Sequence, residues 1–323
     1  MDNQYTVLSQ LGEGVFGYVW KAIHHSTKEI VAIKQLKYKL PTNVVKLVEF
    51  EALNSLKGHP NIVELKGIIK NDNTLSYVFE YMEDNLLQAI RKQIQPPCEA
   101  KIKYWMYQIL KATEYMHNKG YIHRDMKPEN ILINGNTLKL ADFGMAKKMS
   151  LHNSLTQTWA HLQYKKKDCP CGKFTEYVCT RWYRAPELLV HSPTYTSAID
   201  MWSVGTIMAE LFRSVPLFPG TSEQDQLYKI CEVFGAPNHY NWPEGMRLAT
   251  SSCFQFPQFP PLTSLAPCIP YASPEALNLI QGLCTWDPNK RLTASQALQH
   301  PFFISITNPI QFNQLPNLVK HTR

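Results

Sequence analysis

The sequence predicts an α+β fold in two unequal lobes. Three observations carry this. Residues 1–85 set short β-rich runs around a single helical stretch, apolar residues beyond Leu86 recur at helical spacing, and 323 residues that are 44% hydrophobic supply a core large enough for both parts. The first β-rich run, residues 5–11, leads through a glycine loop into residues 18–22, and residues 30–34 follow as a short apolar strand. Pro41-Thr42-Asn43 reads as a helix start leading into residues 44–56, and Gly58-His59-Pro60 closes that helix. Residues 63–69 and 75–81 read as two further strands. The boundary falls near Met82 to Asn85, giving an N-terminal lobe of residues 1–85, a C-terminal lobe of 86–304 and a short tail of 305–323.

In the larger lobe Ile102, Trp105, Met106, Ile109, Ala112 and Met116 recur at steps of three and four, which puts one apolar stripe on a helix. Residues 201–212 are apolar almost throughout and predict a helix buried on most sides, whereas residues 223–234 are amphipathic. Proline is dense between Pro257 and Pro274 and predicts an ordered but irregular insertion. Ser273 before Pro274 and Glu275 marks the next helix N-terminus.

Composition narrows the function classes. No run of about 18 apolar residues occurs, so no membrane span is expected. Met1-Asp2-Asn3-Gln4-Tyr5 lacks the basic-then-apolar pattern of a secretory signal. The eight cysteines are mostly scattered, and Cys169-Pro170-Cys171 has no second pair nearby to complete a zinc site, so free thiols and a cytoplasmic or nuclear location are expected. The net charge is +7, but six lysines and one aspartate between Lys147 and Lys173 supply +5 of it. One local cluster is a poor nucleic-acid face, so no such partner is expected.

Five motifs carry the chemistry. Gly12-Glu13-Gly14-Val15-Phe16-Gly17-Tyr18-Val19 can bring backbone amides against phosphate oxygens. Alone it could be a dinucleotide fingerprint, but that needs a helix directly after it, and here a strand follows. Val31-Ala32-Ile33-Lys34 sets a lysine inside an apolar strand. His123-Arg124-Asp125-Met126-Lys127-Pro128-Glu129-Asn130, Asp142-Phe143-Gly144 and Ala185-Pro186-Glu187 follow in that order. Each alone is a modest signal; the ordered set is very specific.

This set resembles the signature of eukaryotic protein kinases, over residues 5–303. The resemblance implies a bilobal kinase fold, ATP and Mg2+ as cofactors, and transfer of the γ-phosphate to serine or threonine of protein substrates. It implies that Asp125 orients the substrate hydroxyl and accepts its proton, that Lys127 sits by the transferring phosphate, and that Asn130 and Asp142 hold magnesium. Lys34 is expected to pair with a helix glutamate, aligned as Glu49 with Glu51 as the alternative. Gly12, Gly14 and Gly17 would cover the phosphates. Leu11, Val19, Ala32 and Leu132 would sandwich adenine, Phe79 would be the bulky gatekeeper, and Glu80 and Met82 would offer backbone bonds. His123 is read as a packing residue, Glu187 as the ion-pair partner of Arg291, and Asp200 as the anchor of the catalytic loop.

Within that family, Thr175-Glu176-Tyr177 and the stretch from Leu217 to Ile230 are similar to the male germ cell-associated (MAK-like) kinases of the CMGC group and to their plant cyclin-dependent kinase F-like homologues. This implies activation by phosphorylation of Thr175 and Tyr177, with an upstream kinase as partner and autophosphorylation of Tyr177 left open, and with Arg124, Arg181 and Arg184 receiving the phosphates. It also implies a preference for proline after the target residue. The Pro-Ser-Thr-Ala-Ile-Arg-Glu helix is absent, so no cyclin partner is expected. Thirty residues, 145–174, separate Asp142-Phe143-Gly144 from Thr175, and the extra stretch near 150–173 reads either as a regulated loop or as intron-derived sequence. Two rival functions stay open here: a scaffold that has lost catalysis, and a basic nucleic-acid binder.

Overall fold

The computed structural model describes residues 4–14, 17–37, 48–71, 74–149, 181–251, 254–260 and 263–306. The first strands are β1 (Tyr5–Glu13), β2 (Gly17–His24), β3 (Ile30–Leu36), β4 (Leu65–Asn71) and β5 (Thr74–Glu80), and they form one antiparallel sheet in the order β1-β2-β3-β5-β4. Alternation sorts its side chains onto two faces. Ala22, Val31, Ile33, Ile69 and Val78 pack together on one face, with Tyr5 and Trp20 against them. Val19, Ala32, Lys34, Tyr77 and Phe79 share the other, because Val19 is paired with Lys34, Lys34 with Tyr77 and Ala32 with Phe79. On that second face Tyr77 and Phe79 join the main core, together with Ala52 and Leu53 of α1 (Val48–Ser55). The expected helix start at Pro41-Thr42-Asn43 lies outside the described residues.

Gly17 is required by close approach: a Cβ there would sit 2.3 Å from the backbone oxygen of Gln35. The β1–β2 turn is thereby pressed against the end of β3. The turn pairs further than residues 5–11 suggest, since Gly12 and Glu13 still face Val19 and Tyr18 across the ladder.

The chain crosses to the larger lobe at residues 81–83. Beyond it, β6 (Asp84–Asn85) already pairs with β8 (Ile131–Asn134), which pairs in turn with β9 (Thr137–Leu140). Helix α2 (Leu86–Arg91) is capped by the Asn85 side chain, which accepts from the Gln88 backbone N–H. Helix α3 (Glu99–Asn118) buries the predicted stripe from Ile102 to Met116. Two-residue strands β7 (Tyr121–Ile122) and β10 (Lys147–Lys148) pair beside it.

A seam joins the loop after α1 to β9. Ile62 bridges Leu140, the Leu140 N–H donates to the Asn61 carbonyl at 2.8 Å, and the Val63 N–H donates to the Leu140 carbonyl at 2.9 Å. The Asn61 amide fastens it further, donating to the Leu138 carbonyl and to Gln108 Oε1, each at 2.8 Å.

After α4 (Pro186–Leu189), α5 (Ala198–Arg213) is buried from Ile199 to Phe212, as its apolar run predicts. Helices α6 (Glu223–Phe234), α7 (Pro243–Ser251), α8 (Pro274–Leu283) and α9 (Ala294–Leu298) surround it. The Ser273 hydroxyl caps α8 by accepting from the Ala276 N–H, where the Ser-Pro-Glu signal placed that helix. No described helix is long and apolar enough to cross a membrane.

Candidate active site

Three of the expected residues meet at the cleft between the lobes. Lys34 reaches out from β3 and donates to Glu49 Oε1 and Oε2 at 2.9 and 3.0 Å, and to Asp142 Oδ1 at 2.8 Å. Glu49 is therefore the helix glutamate, and Glu51 is exposed. Burial works against every charge in this group. For Lys34, Asp142 and Glu49 outweigh burial and hold its pKa above the ordinary lysine value. Burial also opposes the Asp142 charge, but Lys34 beside it holds that carboxyl below the usual range. At Glu49 burial wins, aided by Asp142, and its pKa is raised.

A second cluster forms around Asp125. The Asn130 amide donates to the Asp125 carbonyl at 2.8 Å and to its Oδ2 at 3.0 Å, while Lys127 Nζ lies 2.9 Å from the same Oδ2. Burial opposes the Lys127 charge, Asp125 outweighs it, and the pKa of Lys127 is raised. Both donations come from the Asn130 nitrogen, which leaves its amide oxygen as a hard acceptor. With the Asp142 carboxylate this makes an oxygen donor pair of the kind magnesium takes alongside substrate phosphates.

Asp200 holds this loop in place. Fully buried at the start of α5, it accepts from the backbone N–H of His123 and of Arg124, each at 2.9 Å, and from His117 Nε2 at 2.9 Å. Burial alone would raise its pKa; the His117 hydrogen bond and charge lead the contacts that lower it. These bonds retain Arg124 in a left-handed backbone conformation, φ 69°, which a side chain with a Cβ rarely adopts unaided. Asp142 is left-handed as well, at φ 59°. Its neighbours are fixed by His123, whose Nε2 lies 3.0 Å from the Ala141 carbonyl and whose ring packs 4.9 Å from that of Phe143. A carbonyl only accepts, so Nε2 carries the proton, and His123 is the packing residue the sequence suggested.

Around the adenine slot, Ala32, Val19 and Leu132 are half-buried, Phe79 and Met82 are buried, and Leu11 is exposed on β1. The Glu80 side chain turns away to accept from Lys139 Nζ at 2.7 and 2.9 Å and from the Glu64 N–H at 2.7 Å.

The three arginines expected to receive phosphate make contacts of their own among the described residues. Arg124 and Arg184 line one small crevice with Asp125, Tyr183 and Asp200. Arg124 donates to the Met145 carbonyl at 2.5 Å and the Tyr195 hydroxyl at 2.9 Å, and Arg184 lies 3.7 Å from Glu223. Arg181 is buried and donates to the Thr221 carbonyl at 3.0 Å. Thr175, Tyr177 and the stretch 150–173 lie outside the described residues.

Below the site, Arg291 and Glu187 form the expected pair, bidentate at 2.6 Å on both arms and buried. The sequence reading passed over Glu210, a carboxyl buried in α5 that accepts from the Tyr183 hydroxyl at 2.7 Å. Burial pushes its pKa up to about 7. An acid inside so apolar a run was the available signal.

The protein kinase domain model matches residues 5–303. The chain belongs to the protein kinase family. The kinase is 48% identical to cyclin-dependent kinase F-3 of Oryza sativa subsp. japonica over 93% of this chain and 65% of that relative. It is 44% identical to the serine/threonine-protein kinase MAK of Mus musculus over 93% of this chain and 46% of the relative. A probable serine/threonine-protein kinase of Dictyostelium discoideum is 42% identical, over 98% of this chain and 59% of the relative. The kinase thus groups with the MAK-like branch of the CMGC serine/threonine kinases, and it spans about half to two thirds of the length of these relatives.

Proposed function

We propose that this kinase transfers the γ-phosphate of ATP to serine or threonine of protein substrates, that it favours sites followed by proline, and that phosphate on Thr175 and Tyr177, placed by an upstream kinase, raises its activity. The observation that carries the catalytic part is the joint geometry of Lys34 on Glu49 and Asp142 with Asp125 on Lys127 and Asn130.

The roles follow from charge and position. Asp125 accepts the proton of the incoming hydroxyl, held toward it by Asn130 and Lys127. Lys127 and Lys34 keep their positive charge at neutral pH and offset the charge of the transferring phosphates. Asn130 and Asp142 would hold magnesium, which supplies neutralisation of the phosphate oxygens when bound. Val19, Ala32 and Leu132 offer apolar surface to the adenine, and the backbone of Glu80 and Met82 offers its edge a donor and an acceptor.

The finer parts rest on likeness. Thr175-Glu176-Tyr177 and the MAK-like relatives support proline direction and dual phosphorylation. The rice relatives are named cyclin-dependent, but residues 44–53 do not match the cyclin-binding helix sequence, so no cyclin is part of the proposal. A cytoplasmic or nuclear setting goes with the scattered cysteines. The test is phosphate incorporation from ATP and magnesium into a basic peptide carrying Ser-Pro or Thr-Pro, with Asp125→Asn beside the wild type. Transfer by the wild type alone upholds the proposal. No transfer by either, with Thr175 and Tyr177 verified as phosphorylated, would leave a scaffold.

A further inference from the structure

Three residues beyond Lys34 and one past the end of β3 stands Lys37, which has no place in the motif set. Its ammonium donates to Glu13 Oε1 at 2.7 Å and to the Gly14 carbonyl at 2.9 Å, and it lies 4.7 Å from the centre of the Tyr18 ring. Glu13 ends the first limb of the glycine flap, Gly14 begins its tip and Tyr18 lies on the second limb. One cation just past β3 therefore contacts both limbs at once.

On the first limb the glycines themselves add no side-chain packing. A Cβ at Gly12 or Gly14 would meet nothing within 4 Å, and the turn itself is closed by the Gly14 N–H donating to the Gly17 carbonyl at 2.9 Å. A backbone with so few neighbours loses conformational freedom when it closes over phosphates, and a tether formed beforehand reduces that loss. The tether starts from the strand that carries Lys34, so it fixes the flap relative to the phosphate-facing lysine.

We propose that Lys37 is a positioning residue that ties the glycine flap to β3 and thereby sets the affinity for nucleotide. The inference rests on the kinase reading. Glu13 is half-exposed, so the pair is screened by water and the effect is several-fold in size.

The test measures KM for ATP, kcat, and direct binding of ADP with magnesium to the purified chain. Lys37→Met keeps the apolar stem and removes the charge. It is expected to raise KM and the ADP dissociation constant about three- to tenfold, with kcat changed far less. Lys37→Arg keeps a cation and its donors and should stay within about twofold of wild type. Glu13→Gln should weaken binding in the same direction, and the double variant with Lys37→Met should bind no more weakly than Lys37→Met alone. Unchanged nucleotide binding in Lys37→Met overturns the proposal. So does full additivity with Glu13→Gln, or a fall in kcat and melting temperature without a change in affinity. If the wild type binds ADP but transfers no phosphate, the kinase reading fails while the binding series still decides the role of Lys37.

Discussion

Asp200 and Lys37 each fasten a backbone segment at the cleft, one from below and one from above, but by contacts of different kinds. Asp200 is wholly buried and takes two backbone N–H groups and one imidazole within 2.9 Å. Lys37 grips a half-exposed carboxylate, a carbonyl and the face of a ring. A buried carboxylate that loses its role leaves orphaned donors that nothing can satisfy, whereas an exposed lysine leaves groups that water can reach. The floor, which places the reacting groups, is thus held by contacts that are expensive to break. The roof, which must admit and release nucleotide, is held by contacts that exchange easily with solvent.

That contrast can be broken from either side. The largest effect is expected at the reacting group: Asp125→Asn should lower kcat about 10²- to 10⁴-fold while ADP binding stays close to wild type, as read by steady-state kinetics and titration calorimetry. Asp200→Ala touches no substrate, yet it frees the His123 and Arg124 backbone. A kcat loss of about 10²-fold is expected, and a loss under threefold would show that the floor does not depend on Asp200.

Stability tests sharpen the same point. Arg291→Met leaves Glu187 charged and buried without its partner and should destabilise the fold by about 3–5 kcal/mol in urea denaturation. The effect of Glu210→Gln depends on pH. Burial raises the carboxyl from an ordinary 4.5 to about 7 in the folded chain, so the fold favours its protonated form. The stability this contributes is fully present below about pH 4.5 and is lost as pH rises toward 7. Glutamine keeps an acceptor for the Tyr183 hydroxyl and does not ionise. At pH 8 the variant should therefore be more stable than wild type by about 1–3 kcal/mol, and at pH 5 the two should nearly coincide, as denaturation curves at both values would read.

Much of the architecture could be read in advance because it depends on spacing. The stripe from Ile102 to Met116, the amphipathic run now seen as Glu223–Phe234 and the Ser273 cap each express a local rule that tertiary context did not override. The helix glutamate is aligned as Glu49 from the residues around it, with Glu51 as the alternative, and since both lie on α1 only the facing of the helix toward β3 separates them. Arg181 is buried and reaches a carbonyl forty residues away at Thr221, a contact that no local spacing announces. Lys37 carried no signal at all. One lysine after a strand is ordinary, and its partners are brought to it by the pairing of Tyr18 with Gln35 and of Glu13 with Tyr18 across the sheet.

The seam between residues 61–63 and β9 gives the upper lobe a second attachment besides the covalent crossing at residues 81–83. Glu80 runs between the two, holding Lys139 of β9 with its carboxylate and Glu64 with both its backbone and its side chain. Two further contacts join the lobes, Ser55 Oγ with Tyr121 Oη at 3.0 Å and Lys34 Nζ with Asp142 Oδ1 at 2.8 Å, so the strand that carries Lys34 and the loop that carries Asp142 are tied to each other as well as to the seam.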